Sequence, residues 1–252
     1  VSRNDPYQPR PKPGWQTAPD LARHARWLAK RGVNLIRLHT HINPDPDTQA
    51  IDEVNQDEVD WIWRVVGAMK KEGIYTVVSP YWANTMESDD AKWGTEWEGK
   101  HHGLLFFDET LQAAYKEWLR ALFTTANESL DGGTLADESA LAIFQFQNED
   151  SLLFWTVENL SDSSRRKLEG RFYQWAVAAY GDIGQALAAW GSGFSEGDDL
   201  ANERLGLSHI WNLTGDGNEA VGDHPRLDDQ LQFYVETMMA FNTEIARFVR
   251  ED

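Results

Sequence analysis

The chain has 252 residues, no cysteine and a formal net charge of −18. It is long enough to bury a large core, it excludes disulfides and thiolate metal sites, and it carries no basic stripe that a nucleic-acid backbone could meet. No apolar run approaches membrane-spanning length, whereas 12 Trp in a chain that is 41% hydrophobic exceed what a core needs and point to flat ligand surfaces such as the faces of sugar rings.

Residues 1–14 hold Pro6, Pro9, Pro11 and Pro13 and read as an extended, surface-wrapped segment. The first residues have no signal-peptide character, so any targeting segment is expected to have been removed or never to have belonged to this chain. A helix is expected from about Asp20, with Leu21, Ala25, Leu28 and Ala29 at 3.6 spacing and Gly32 as its stop. The β-branched run Val33-Asn34-Leu35-Ile36-Arg37-Leu38 follows, ending in His39-Thr40-His41. Arg37, His39 and His41 alternate and so share one strand face, which in a closed barrel would be the interior.

An acidic loop over 43–57 leads into a second helix at about 58–72, with Trp61, Val65, Ala68 and Met69 inward and Gly73 closing it. A second strand spans 74–82 and brings Tyr81 and Trp82 to its end. The polar loop over 84–107 bears Trp93, Trp97, His101 and His102 and is longer than ordinary connections, as functional loops often are. Asp108 caps a helix through about 126, with Leu111, Tyr115, Trp118 and Leu122 as its apolar stripe.

Gly132-Gly133 then precedes Leu141-Ala142-Ile143-Phe144-Gln145-Phe146-Gln147-Asn148-Glu149-Asp150. This apolar run stopping in amides and carboxylates is how a buried parallel strand reads when its C-terminal end opens into an active site. A plain polar turn after a core strand would also end in Asn and Asp. Beyond Ser151 the pattern turns helical, at 163–180, at 182–190 and along one long helix over 225–252, with a Gly- and Asp-rich stretch between.

This pattern predicts an α/β fold, a (β/α)8 TIM barrel or a portion of one, as a single domain over 1–252. Three recognisable strands are too few to close eight, so the sequence is expected to be a piece of a larger barrel, incomplete at both ends. Glu149 is the leading catalytic residue. Glycoside hydrolysis needs a proton-donating carboxyl, and burial or a neighbouring carboxylate such as Asp150 would keep one protonated near neutral pH. Strict alternation puts Asn148 and Glu149 on opposite faces unless the strand ends or bulges there.

Gly32 through His39, then Gly73-Ile74-Tyr75-Thr76, then Gln147-Asn148-Glu149 resemble the second, third and fourth strand ends of the clan A glycoside hydrolases, which are retaining (β/α)8 barrels. Tyr180-Gly181 through Ala189-Trp190-Gly191 is similar to the stretch after the fourth strand in β-galactosidase-like and agarase-like members. The resemblance implies Glu149 as acid/base, Asn148 on the sugar 2-hydroxyl, Arg37 orienting the nucleophile, and His39, His41 and Trp82 lining the sugar subsite. Gln147, Trp93 and Trp97 complete the expected substrate-binding set. The family nucleophile is a Glu on the seventh strand, and the residues here are expected to stop before the fifth.

A β-linked poly- or oligosaccharide is the expected partner, with no cofactor, metal, nucleic acid or membrane, and a polysaccharide-active enzyme would be secreted, extracellular or periplasmic. Two alternatives stand beside it. One is a carbohydrate-binding barrel without turnover. The other is a metal-dependent, amidohydrolase-like hydrolase using His39 and His41. The acidic residues Asp5, Asp45, Asp47, Asp52 and Glu53 match no calcium loop and read as a solvated surface.

Overall fold

The computed structural model describes residues 18–83, 87–88, 93–95, 97, 99–153, 155–191, 197–214 and 224–251. The proline-rich segment over 1–14 lies outside them. The chain packs as two compact units, one drawn from residues 1–86, 113–149 and 248–252 and the other from 87–112 and 150–247.

In the first unit, helix α1 (Ala18–Ala29) leads through Gly32 at φ +77° into strand β1 (Leu35–His39). Helix α2 (Gln56–Lys70) begins two residues earlier than its apolar period indicates, because the Asn55 side chain accepts from the Glu58 N–H and caps the first turn. Gly73, at φ +74°, turns the chain into β2 (Tyr75–Ser79). The third strand of the sheet, numbered β5 in chain order, is Leu141–Phe144. The three are parallel in the order β1-β2-β5, with Arg37 beside Val77 and His39 beside Ser79, and Val78 beside Phe144.

One face of this sheet is covered. Ile36 and Leu38 pack against Leu21, Ala25, Val65, Met69 and Ile74, joining β1 to α1 and α2. The opposite face carries Leu35, Tyr75 and Ile143, which are 46%, 53% and 54% exposed. This corrects the barrel expectation. Among the described residues only three strands form the parallel sheet, and no further strand continues it after β5. The physical reason is in the sequence itself: beyond Phe144 the apolar residues recur at helical rather than strand spacing, so nothing there can extend the hydrogen-bonded ladder and close it. Arg37 and His39 do share a face, but it is the open face of a small sheet and not a barrel interior.

The second unit holds a two-residue antiparallel ladder, β3 (Glu87–Ser88) with β4 (Gly99–Lys100), inside the long loop. A 3-10 turn follows at Leu104–Phe106, and helix α3 (Glu109–Thr124) starts in this unit and ends in the first. Helices α4 (Asp162–Tyr180), α5 (Ile183–Ala189) and α6 (Ile210–Thr214) then lead to the long α7 (Pro225–Glu251), with proline at its first position. Phe172 stacks on Phe233 at 5.2 Å and on Trp190 at 5.9 Å. Tyr180 and the Trp190 indole both donate to Asp229, at 2.6 and 2.7 Å, and Arg226 is buried against Asp198. Among the described residues no helix is long and apolar enough to cross a membrane.

Gly67 marks the tightest approach in the first unit: a Cβ there would fall 2.0 Å from the backbone oxygen of Ser129. Because that neighbour is backbone, no rotamer change relieves the clash. Gly67→Ala is therefore expected to destabilise the fold by about 2 kcal/mol, against the gain of about 1 kcal/mol that alanine brings inside an exposed helix. Urea unfolding midpoints of the two proteins check this; an unchanged or raised midpoint would refute the close approach.

Candidate active site

Parallel pairing sets the ends of β1, β2 and β5 side by side, and the chain keeps hydrogen bonding beyond each strand. Thr40 and Ile42 donate their N–H groups to the Ser79 and Pro80 carbonyls at 3.0 Å each, while Gln145 and Asn148 donate to Val78 and Tyr81 at 2.9 and 3.0 Å. The polar residues after each apolar run are thereby brought to one end of the sheet. That is where ligands bind in parallel α/β sheets.

Arg37 is the centre of the cluster. Its Nε donates to Gln145 Oε1 at 2.9 Å, and its Nη2 donates to Asn148 Oδ1 at 2.5 Å and to Ser79 Oγ at 3.5 Å. All three partners are neutral, so the guanidinium charge is not cancelled by a carboxylate among its described hydrogen bonds. Since arginine can only donate, Oδ1 is the atom of Asn148 facing it. The Asn148 amide nitrogen is left as a donor, on a residue only 7% exposed. Gln145 Nε2 in turn donates to the Gln147 carbonyl at 3.0 Å, and Tyr115 holds the Phe146 carbonyl through its hydroxyl.

His39 Nδ1 lies 3.3 Å from the Ser79 carbonyl and 3.2 Å from Ser79 Oγ. A carbonyl only accepts, so Nδ1 carries the proton and Nε2 is the acceptor nitrogen. Trp82 meets the His39 ring edge-on at 5.6 Å. His41 sits two residues past the end of β1 and is half-buried. Gln147 Oε1 is buried without a hydrogen-bond partner among the described residues, a costly state for an amide oxygen.

Glu149 is solvent-exposed and has φ +47°, one of three non-glycine residues with a left-handed backbone among those described. Such a conformation costs on the order of 1–2 kcal/mol for a residue with a Cβ. It also removes the alternation difficulty. β5 ends at Phe144, and the turn at Glu149 frees it from the strand rule that would set it opposite Asn148.

The remaining expected residues belong to the second unit. Trp97 is buried, 4% exposed, with its ring edge-on to His101 at 5.1 Å and to Trp93 at 6.4 Å, so it packs inside that unit rather than offering a face to a ligand. Burial, together with the adjacent His102, pushes the His101 imidazole down to about 4, against the opposing pull of Asp108. Sequence reasoning missed Ser79 and Gln145 as members of the cluster. Ser79 could have been found because it ends the second apolar run as His39 ends the first. Gln145 needed the register. Among the described residues, no group of three or more His, Asp or Glu is placed to share a metal ion.

No protein-family model matches the chain, and no curated protein matches it.

Asp150, the residue after Glu149, accepts from the Gly103 N–H with both carboxylate oxygens at 2.9 Å and from the Ser151 N–H at 3.0 Å. Burial outweighs these bonds and pushes its carboxyl up to about 7. A raised carboxyl is neutral in the folded chain while its unfolded counterpart has already ionised. The fold therefore loses stability as pH rises from about 4 to about 7, and the loss levels off above that. Asp150→Asn is expected to remove this slope, which amounts to roughly 2–4 kcal/mol at 1.36 kcal/mol per pH unit. Denaturant unfolding across that pH window checks it; equal slopes in parent and variant would show that Asp150 ionises normally.

Proposed function

We propose that the chain is a glycoside hydrolase in which Glu149 is the acid/base. The observation that carries this proposal is the pairing of Asn148, clamped through Oδ1 by Arg37 with its amide nitrogen left to donate, with Glu149 in the left-handed turn next to it. A neutral donor beside a carboxyl at the C-terminal end of a parallel sheet suits a sugar. The amide takes a ring hydroxyl, and the carboxyl addresses the bridging oxygen. In the first step Glu149 gives its proton to that oxygen as the glycosidic C–O bond breaks. In the second it takes a proton from the water that attacks the anomeric carbon. A retaining course also needs a second carboxylate to hold the glycosyl group between the two steps, and Arg37, whose hydrogen-bond partners among the described residues are all neutral, is suited to orient it. Glu149 is exposed, so the bound saccharide is what excludes water from it. A β-linked poly- or oligosaccharide is the substrate class, and such a polymer would be met outside the cytoplasm.

A sugar-binding protein without turnover is the second possibility. It is favoured by the neutrality of every described partner of Arg37, which leaves the attacking carboxylate unidentified. The metal-dependent alternative has no such support, since no third His, Asp or Glu is placed with His39 and His41 to share a metal ion among the described residues.

The test is product analysis on β-glucans, galactans and mannans with the parent and Glu149→Gln. Removing a positioned acid/base should lower kcat on the polysaccharide by about 10²–10⁴. An aryl glycoside whose leaving group needs no proton should still form the glycosyl intermediate at nearly the parent rate, and azide should speed its turnover in Glu149→Ala. Arg37→Lys, which cannot bridge two side chains as a planar fork, should lower kcat/KM roughly tenfold through the loss of one charge-assisted hydrogen bond. Sugar binding by the parent with no cleavage of any substrate would favour the binding protein instead.

A further inference from the structure

Most tryptophans that the second unit buries, or holds with their indole N–H, serve its packing: Trp190 donates to Asp229 and Trp175 to Glu236, both at 2.7 Å. Trp155 and Trp211 differ. They are 40% and 49% exposed, and among the described residues neither indole N–H has a protein acceptor. Their rings stand 5.4 Å apart at 80°, forming a right-angled corner, and His209 meets Trp155 at 5.4 Å and 79°.

The corner is held from behind. The Asn159 amide donates to the Trp155 backbone carbonyl at 2.8 Å, and the Trp211 backbone N–H donates to His209 Nδ1 at 3.2 Å. Nδ1 is thus the acceptor and Nε2 carries the proton, directed towards Glu158 at 3.7 Å. Glu158 also accepts from the Ile210 N–H at 3.3 Å and lies 3.9 Å from Arg165. The backbone at both tryptophans is therefore held, and the Trp155 ring stands between two aromatic neighbours, Trp211 and His209.

We propose that Trp155 and Trp211 form a second sugar-binding site, taking a neutral hexopyranose unit of an oligo- or polysaccharide against their faces. The apolar C–H face of a pyranose suits an indole plane, and its hydroxyls suit the indole N–H groups, which have no acceptor among the described residues, and the Glu158 carboxylate. Size argues against a protein partner. At 150–250 Å² per aromatic side chain, the two exposed rings offer on the order of 200 Å², well short of the roughly 800 Å² that each side of a stable protein interface buries. The net charge of −18 argues against an anionic ligand. The inference does not rest on the role of Glu149.

The experiment titrates the full chain, and separately its Glu149→Gln variant, with cello-, manno- and galacto-oligosaccharides, while following indole N–H signals by NMR. The Trp155 and Trp211 signals are identified by their loss in Trp155→Phe and Trp211→Phe. At least one oligosaccharide series should shift both signals in parent and Glu149→Gln alike, with Kd about 1 mM. Trp155→Ala and Trp211→Ala should each weaken binding tenfold or more, and the Phe variants, which keep a ring face and the fold, should stay within a few-fold of the parent. The proposal is overturned if no oligosaccharide moves these signals or if the Ala variants bind as the parent does. Loss of the shifts in Glu149→Gln overturns it too, since they would then report the other site. So does dissociation of a homo-oligomer by the Ala variants on sedimentation, which would mean that a second copy covers the corner.

Discussion

Arg37 is a cation whose fork spans three strands. It leaves the middle of β1, reaches the end of β2 at Ser79 and holds Gln145 and Asn148 beyond β5. Hydrogen bonds to a charged donor are worth about 1.5–3 kcal/mol each, but the side chain is exposed and water competes for it. The contribution lies more in position than in stability. A planar guanidinium fixes the distance between the amides it joins, and with Asn148 fixed the backbone turns at Glu149.

That geometry depends on the register of the sheet. With His39 level with Ser79 and Phe144 level with Val78, the polar residues after each apolar run come to a common end. Slipping one strand by a residue would turn Arg37 onto the face where Ile36 and Leu38 meet α1 and α2. The packing of those two residues in the α1–α2 layer is therefore what keeps the arginine on the open side. Core and site are set by alternate residues of the same five-residue strand.

Buried polar groups in this chain divide by what they accept. Asp150 is spent on backbone N–H groups of Gly103 and Ser151, which makes it a loop anchor although its carboxyl is raised. Glu149, one residue away, is exposed and held in an uncommon backbone conformation. Backbone strain of this kind gathers at functional sites, whereas the hydrogen-bond saturation of Asp150 marks structure. The same distinction separates Trp97, buried against His101, from Trp155 and Trp211, whose rings face water.

The three strand segments, the glycines that end α1 and α2, and the long C-terminal helix are legible in the sequence, because spacing at 2.0 or 3.6 residues and a φ > 0 requirement are local properties. So was the position of Asn148 and Glu149 at the polar end of an apolar run. The barrel was not there to be read: a strand pattern states that a segment will pair but not how many partners it will find, and among the described residues the parallel ladder has three strands. Nor could local pattern separate Trp97 from Trp155, since both are tryptophans in polar loops and only tertiary packing decides which ring is covered. Gln145 and Ser79 joined the cluster through register, a relation between residues more than a hundred and about forty positions apart. The sequence determined which segments are strands and which are helices; tertiary structure alone decided which side chains meet, because pairing across the sheet is non-local and leaves no period in the chain.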